Sequence, residues 1–245
     1  MKNLYTTLLY IYLSSVSSIC GAETILWDGN HGSFFKTEDY SLGGNYGELT
    51  EFMKNHDFTL TESRLPFDKD TLDKAKVLVL TINAKKDYSK IEVESIINFV
   101  RNGGGVLALC DAKNLDHNII NGVLESFGII CGEGDEIQQN GLTKVTISSD
   151  PIFNEISEIS FKWVGQVKVR DKAGARIVGS SIGGKPIDIM GVAEVEKGRI
   201  VVIGDMDVFA NSLFTENEKF ALAVFKWLST NNESSEKPST LSCLN

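Results

Sequence analysis

Three apolar runs in this chain end on an aspartate, and that repetition restricts the fold more than any other feature. Ile200 to Ile203 follows the turn at Gly198 and stops at Gly204 and Asp205. Val106 to Leu109 follows Gly103, Gly104 and Gly105 and stops at Cys110 and Asp111. Thr24 to Trp27 stops at Asp28. Short apolar runs without polar alternation predict strands buried on both faces, as in a parallel sheet. A carboxylate at the carboxyl end of such a strand stands where open α/β sheets hold their ligands. Together the runs predict one acidic rim, with Asp28, His31, Asp111, Asp205 and Asp207 as its candidate ligand-binding residues.

Between these runs the period becomes helical. Val93, Ile96, Ile97 and Val100 form one stripe, and Ser89 with Glu92 ahead of them has capping-box spacing. Gly103 is the expected stop. Ile119, Ile120, Val123, Leu124 and Phe127 form a second stripe, closed by Gly128. Residues 46–54 read as a helix, and 58–62 and 76–82 as strands. Thr215 and Glu218 repeat the capping-box spacing before a last stripe of Phe220, Val224, Trp227 and Leu228. Alternating strands and helices predict an α/β fold, a parallel sheet with helices on both faces. Residues 135–198 break the alternation with short β-like runs and no long helix, which predicts a β-rich insertion within a domain spanning 23–228. Val100, Leu107, Ile203 and Trp227 are expected in the core, and Trp27 and Trp163 in the core or an interface.

With 33 acidic against 24 basic residues, the chain carries a net charge of −9. That disfavours nonspecific nucleic-acid binding, which needs a cationic surface. Residues 1–22 have one charge, Lys2, then an apolar run from Leu8 to Leu13 and a small-residue end at Gly21 and Ala22. This is the layout of a secretory signal peptide. It implies a secreted or periplasmic, envelope-associated protein with no membrane span once the signal is removed. Residues 229–245, rich in Ser, Asn and Glu, read as a disordered tail.

The four cysteines have no metal-binding spacing. Cys110 and Cys131 each close an apolar run and can be neighbours on the sheet. Two buried thiols behaving as small hydrophobes is the expected arrangement. His56 at a polar helix end and His117 at the start of the helix after Cys110 read as surface residues.

Ser89 and Glu92, the stretch from Phe99 to Asp111, and Gly198 to Asp205 followed by Asn211 and a Phe-rich helix resemble the GIFT/DUF4350 group. Those domains have a class I glutamine amidotransferase-like, flavodoxin-like fold. They occur in auxiliary components of gliding-type ABC transporters, in an intraflagellar-transport subunit and in many bacterial and archaeal proteins. In the amidotransferases a nucleophilic cysteine occupies the position near Cys110, and its base is a histidine after the late strand. Here Gly204 to Asp207 holds no histidine. Asp111 beside Cys110 would also oppose thiolate formation. The resemblance therefore implies a non-catalytic binding or assembly domain whose rim takes a protein or small-molecule ligand, without a cofactor or metal. The alternatives are a hydrolase using Cys110 with His31, or one using a carboxylate-bound metal.

The mature protein is expected to begin near Glu23. N-terminal sequencing of the native protein checks this; Met1 retained in a soluble pool would contradict it.

Overall fold

The computed structural model describes residues 22–32, 34–35, 38–82, 86–112, 116–147, 150–153, 156, 158–170, 174–181 and 187–230. Of the expected signal segment 1–22 only Ala22 is among them, and of the expected tail 229–245 only Ser229 and Thr230, Ser229 being the last residue of a helix; the rest lies outside them. In chain order the elements are β1 (Glu23–Asp28), β2 (Phe34–Phe35), β3 (Glu38–Asp39), α1 (Gly47–Lys54), β4 (Phe58–Ser63), α2 (Lys69–Leu72), β5 (Val77–Thr81) and α3 (Lys90–Arg101). There follow β6 (Gly105–Leu109), α4 (Asn118–Leu124), β7 (Ile129–Ile147), β8 (Glu158–Val169), β9 (Ala175–Ser181), β10 (Asp188–Val195), β11 (Gly198–Ile203) and α5 (Asn211–Ser229).

One nine-stranded sheet runs in the order β4-β1-β5-β6-β11-β10-β9-β7-β8. Its first five strands are mutually parallel. From β11 onward each pairing is antiparallel. The β-rich stretch thus extends the main sheet. Every residue of β5 and β6 is buried, as expected when both faces are covered. α1 packs with α5, while α2, α3 and α4 pack in sequence with one another. The core includes Ile25, Trp27, Leu78, Val100, Leu107, Val201, Ile203 and Phe225, all fully buried.

Local signals position several elements. Ser89 caps α3: its hydroxyl accepts from the Glu92 amide at 3.3 Å, and Glu92 Oε2 accepts from the Ser89 amide at 2.9 Å. Gly103 and Gly128 turn the chain at φ 105° and 78°, a region that favours glycine.

The last helix departs from expectation. It starts at Asn211, so Thr215 lies inside it and caps nothing. Tertiary contacts set its start: the Asn211 amide donates to Asn45 O at 2.7 Å, and its side-chain Oδ1 accepts from the Glu48 amide at 3.0 Å. Trp227 is half-buried beneath the Arg199 guanidinium, whose carbon lies 5.0 Å from the ring centroid. Trp163 is 38% exposed, whereas Trp27 is fully buried. His117 is buried as well, contrary to its reading as a surface residue.

Replacing Ile203 with Ala should destabilise the protein by about 2–5 kcal/mol, the transfer and cavity cost of such a truncation. A denaturant midpoint equal to the parent's would contradict its place in the core.

Candidate functional site at the carboxyl edge of the sheet

β1, β6 and β11 end on the acidic residues expected of a rim, and the structure sorts these into separate groups. Asp28 heads the first. Its Oδ1 accepts from the amides of Asn30 and His31 at 3.2 Å each. Its carboxylate lies 2.9 and 3.0 Å from His31 Nδ1, and Oδ2 accepts from the Tyr88 hydroxyl at 2.7 Å. The facing carboxylate fixes the hydrogen on Nδ1. Nε2 lies 3.3 Å from Glu92 Oε1 without the alignment of a hydrogen bond. The imidazole lies tilted against the Tyr88 and Phe67 rings, with centroids 4.1 and 5.5 Å away. Asp28, His31 and Glu92 are all buried.

Glu92 does more than cap its helix, since Oε1 also accepts from the Phe67 amide at 3.2 Å. Burial pushes its carboxyl up, but the Ser89 and Phe67 hydrogen bonds and His31 outweigh burial, leaving it below the ordinary range. The capping-box spacing was the legible sign of Glu92; its reach toward His31 was not.

The second group follows β11. Asp205 is fully buried. It accepts from the Asp207 amide at 2.7 Å and so caps the 3-10 turn Met206–Phe209; its Oδ2 accepts from the Lys162 amide at 2.6 Å. Burial and the Asp207 charge push its carboxyl from 3.8 up to about 7, against the pull of those two amides. Asp207 Oδ1 accepts from the Tyr40 hydroxyl at 2.8 Å. The Tyr46 hydroxyl donates to Met206 O at 2.9 Å, and burial with the charges of Asp207, Asp205 and Asp111 holds its proton firmly. All three aspartates thus act on Tyr46 through their charge. Neither Tyr40 nor Tyr46 had a sequence signal.

At the end of β6, Cys110 is bonded to Cys131 of β7 in a disulfide, in place of the two expected thiols. A spacing of 21 residues carried no pairing information. Asp111 Oδ1 accepts from the Ala112 amide at 2.6 Å, and its carbonyl lies 2.9 Å from His117 Nε2. A Cβ built on Gly132 would fall 2.1 Å from His117 Nδ1, so this imidazole packs against Gly132, the residue after Cys131. His31 instead binds Asp28.

β8 closes over this edge. It pairs with β7 on one side. On the other, the Gly165 amide donates to Gly204 O at 2.8 Å, the Lys162 amide to Asp205, and the Ser160 amide to Asn217 Oδ1 at 3.0 Å. Among the described residues no three acidic, histidine or cysteine side chains are placed to hold a metal ion. A groove of about 640 Å³ lined by Lys69, Lys76, Asn98, Phe99 and Gly103 lies at the amino ends of β5 and β6, away from the acidic edge.

A family model described as a domain of unknown function, DUF4350, matches residues 45–224. The chain belongs to the DUF4350 family. No curated protein matches it by sequence. The mmIFT52 N-terminal domain superposes with a TM-score of 0.73 at 16% identity, covering 86% of this chain and 100% of that one. Cytoplasmic protein STM3548 from Salmonella typhimurium gives 0.57 at 15%, covering 84% and 96%. A ThuA-like protein from Bacteroides uniformis gives 0.57 at 12%, covering 85% and 91%. At such identities the likeness is one of fold: this DUF4350 domain has the ThuA-like, glutamine amidotransferase-like α/β architecture.

The two carboxyl shifts have opposite linkage. Glu92 titrates lower when folded, so its contribution is present above its unfolded value of about 4.5 and is lost as pH falls through the folded one. Asp205 titrates higher when folded, so stability declines as pH rises from 3.8 to about 7 and then levels. Denaturant midpoints should therefore fall between about pH 5 and about pH 8, with a shallower slope in Asp205→Asn. An unchanged slope in that variant would remove Asp205 as the cause.

Proposed function

We propose that this domain is a non-catalytic binding or assembly module of the GIFT type, presenting the edge around Asp28, His31, Asp111, Asp205 and Asp207 to a protein or small-molecule ligand. The observation that carries this reading is the state of Cys110. A thiolate nucleophile needs a free sulfur, a base and an oriented third group, and this sulfur is bonded to Cys131. The edge is also occupied by the protein's own groups: β8 amides on Asp205 and Gly204, Tyr88 on Asp28, and Tyr40 on Asp207. Asp28, His31, Asp111 and Asp205 are buried, so they shape the edge from beneath, which favours a binding scaffold over a reaction chamber.

A secreted or envelope location belongs to the same reading. It is supported by the apolar, nearly uncharged N-terminal segment. A buried disulfide agrees with it, since disulfides persist in oxidising compartments.

Thiol alkylation and amide hydrolysis test the proposal on one sample. Native protein should leave Cys110 unlabelled. After reduction the thiol should react as an ordinary one, with a pKa at or above ~8.5, and glutamine should not be hydrolysed. Rapid labelling near pH 6, well below that value, together with glutamine hydrolysis lost in Cys110→Ser, would establish a hydrolase instead.

A further inference from the structure

β4 is the terminal strand of the sheet beyond β1. The Glu23 amide donates to Asp57 O and the Gly29 amide to Ser63 O, both at 2.9 Å. Strand alternation then turns the backbone groups of Asp57, Thr59, Thr61 and Ser63 toward β1, and those of Phe58, Leu60 and Glu62 outward. Among the described residues none bonds these outward amides and carbonyls. The opposite terminal strand, β8, is closed back onto the middle of the sheet through Gly204 and Asp205. β4 is left as the open edge.

Edge strands are ordinarily blunted by brevity, a bulge, proline or an outward charge, because a row of unpaired amides and carbonyls invites another strand. β4 has six residues, pairs with β1 in unbroken register, and holds no proline or lysine. Its one charge, Glu62, leans inward: a Cβ built on Gly29, the residue after β1, would fall 2.4 Å from Glu62 Cγ. One face of β4 presents Thr59 and Thr61, both exposed and β-branched. Leu60, on the other face, is only partly buried against the core. These groups are self-complementary. When two copies meet antiparallel about a two-fold axis at Leu60, this residue faces the partner's Leu60, and Phe58 faces the partner's Glu62. Each such pair exchanges both amide–carbonyl bonds, so every outward group is satisfied. On the exposed face Thr59 meets the partner's Thr61, a favourable cross-strand pair. α1, which packs on β4, then runs antiparallel to its counterpart across the seam. Its exposed Glu48 and Glu51 stand toward its start and its exposed Lys54 at its end, so acidic starts are set beside basic ends.

We propose that β4 is a homodimerisation strand: a second copy of this chain adds its own β4 to it, and the two sheets become one. The carboxyl edges of the two copies then point in opposite directions, so the pair presents two separate acidic edges. The dimer seam uses none of the residues named in the binding reading and does not depend on it.

Sedimentation of the native protein over a range of concentrations, with hydrogen exchange on the same samples, tests this. The parent should dimerise reversibly, and the amides of Phe58, Leu60 and Glu62 should gain protection as concentration rises. Thr59→Lys/Thr61→Lys sets like charges opposite each other across the seam and should lower the association constant by about tenfold or more. Thr59→Glu/Thr61→Lys sets opposite charges there and should restore dimerisation. Both variants change only exposed side chains, so the monomer should keep the parent's denaturant midpoint. A parent that stays monomeric, a dimer undiminished by the two lysines, or one not restored by the glutamate–lysine combination would each overturn the inference. So would protection of the three amides that is independent of concentration, since another segment would then cover the edge.

Discussion

Gly165 and Gly204 meet backbone to backbone, and the closed edge of the sheet depends on that contact. A Cβ on Gly165 would sit 2.0 Å from Asp111 O, and one on Gly204 would sit 2.0 Å from Gly165 O. No rotamer change relieves a clash with backbone. Only glycine at both positions lets β8 pass across the ends of β6 and β11. Once it passes, its amides find Gly204 O and Asp205, and the sheet's last strand returns to its middle. The burial of Asp205, and with it the raised carboxyl, follows from this crossing.

The same crossing separates the acidic residues into two environments. Asp28 sits amid donors: two amides, an imidazole and a phenol. Asp205 and Asp207 sit amid other acids, with Lys162 as the facing cation. Like charges kept close and poorly hydrated favour proton uptake, and the carboxyls of Asp205 and Asp207 are both raised.

Local pattern made the parallel half legible. Continuous apolar runs gave β5, β6 and β11, and the Ser89–Glu92 spacing gave the start of α3, because both depend on residues a few positions apart. What depends on distant partners was not legible. The false cap at Thr215 has the right spacing, but Asn45 and Glu48, far away in sequence, fix the helix one turn earlier. The acidic residues were visible at their strand ends, yet their partners Tyr40, Tyr88 and Lys162 come from elements that no local period connects to them. Cys110 and Cys131 became a pair only through the return of β7 toward β6.

The bond between those cysteines encloses α4 in a covalent loop. Within it, Asn121 ties the helix to β7, donating to Cys131 O at 2.9 Å and accepting from its amide at 3.0 Å. A break in the main chain anywhere between residues 110 and 131 would leave both fragments joined as one molecule. Among the described residues, that stretch is therefore protected against the consequences of a single cut.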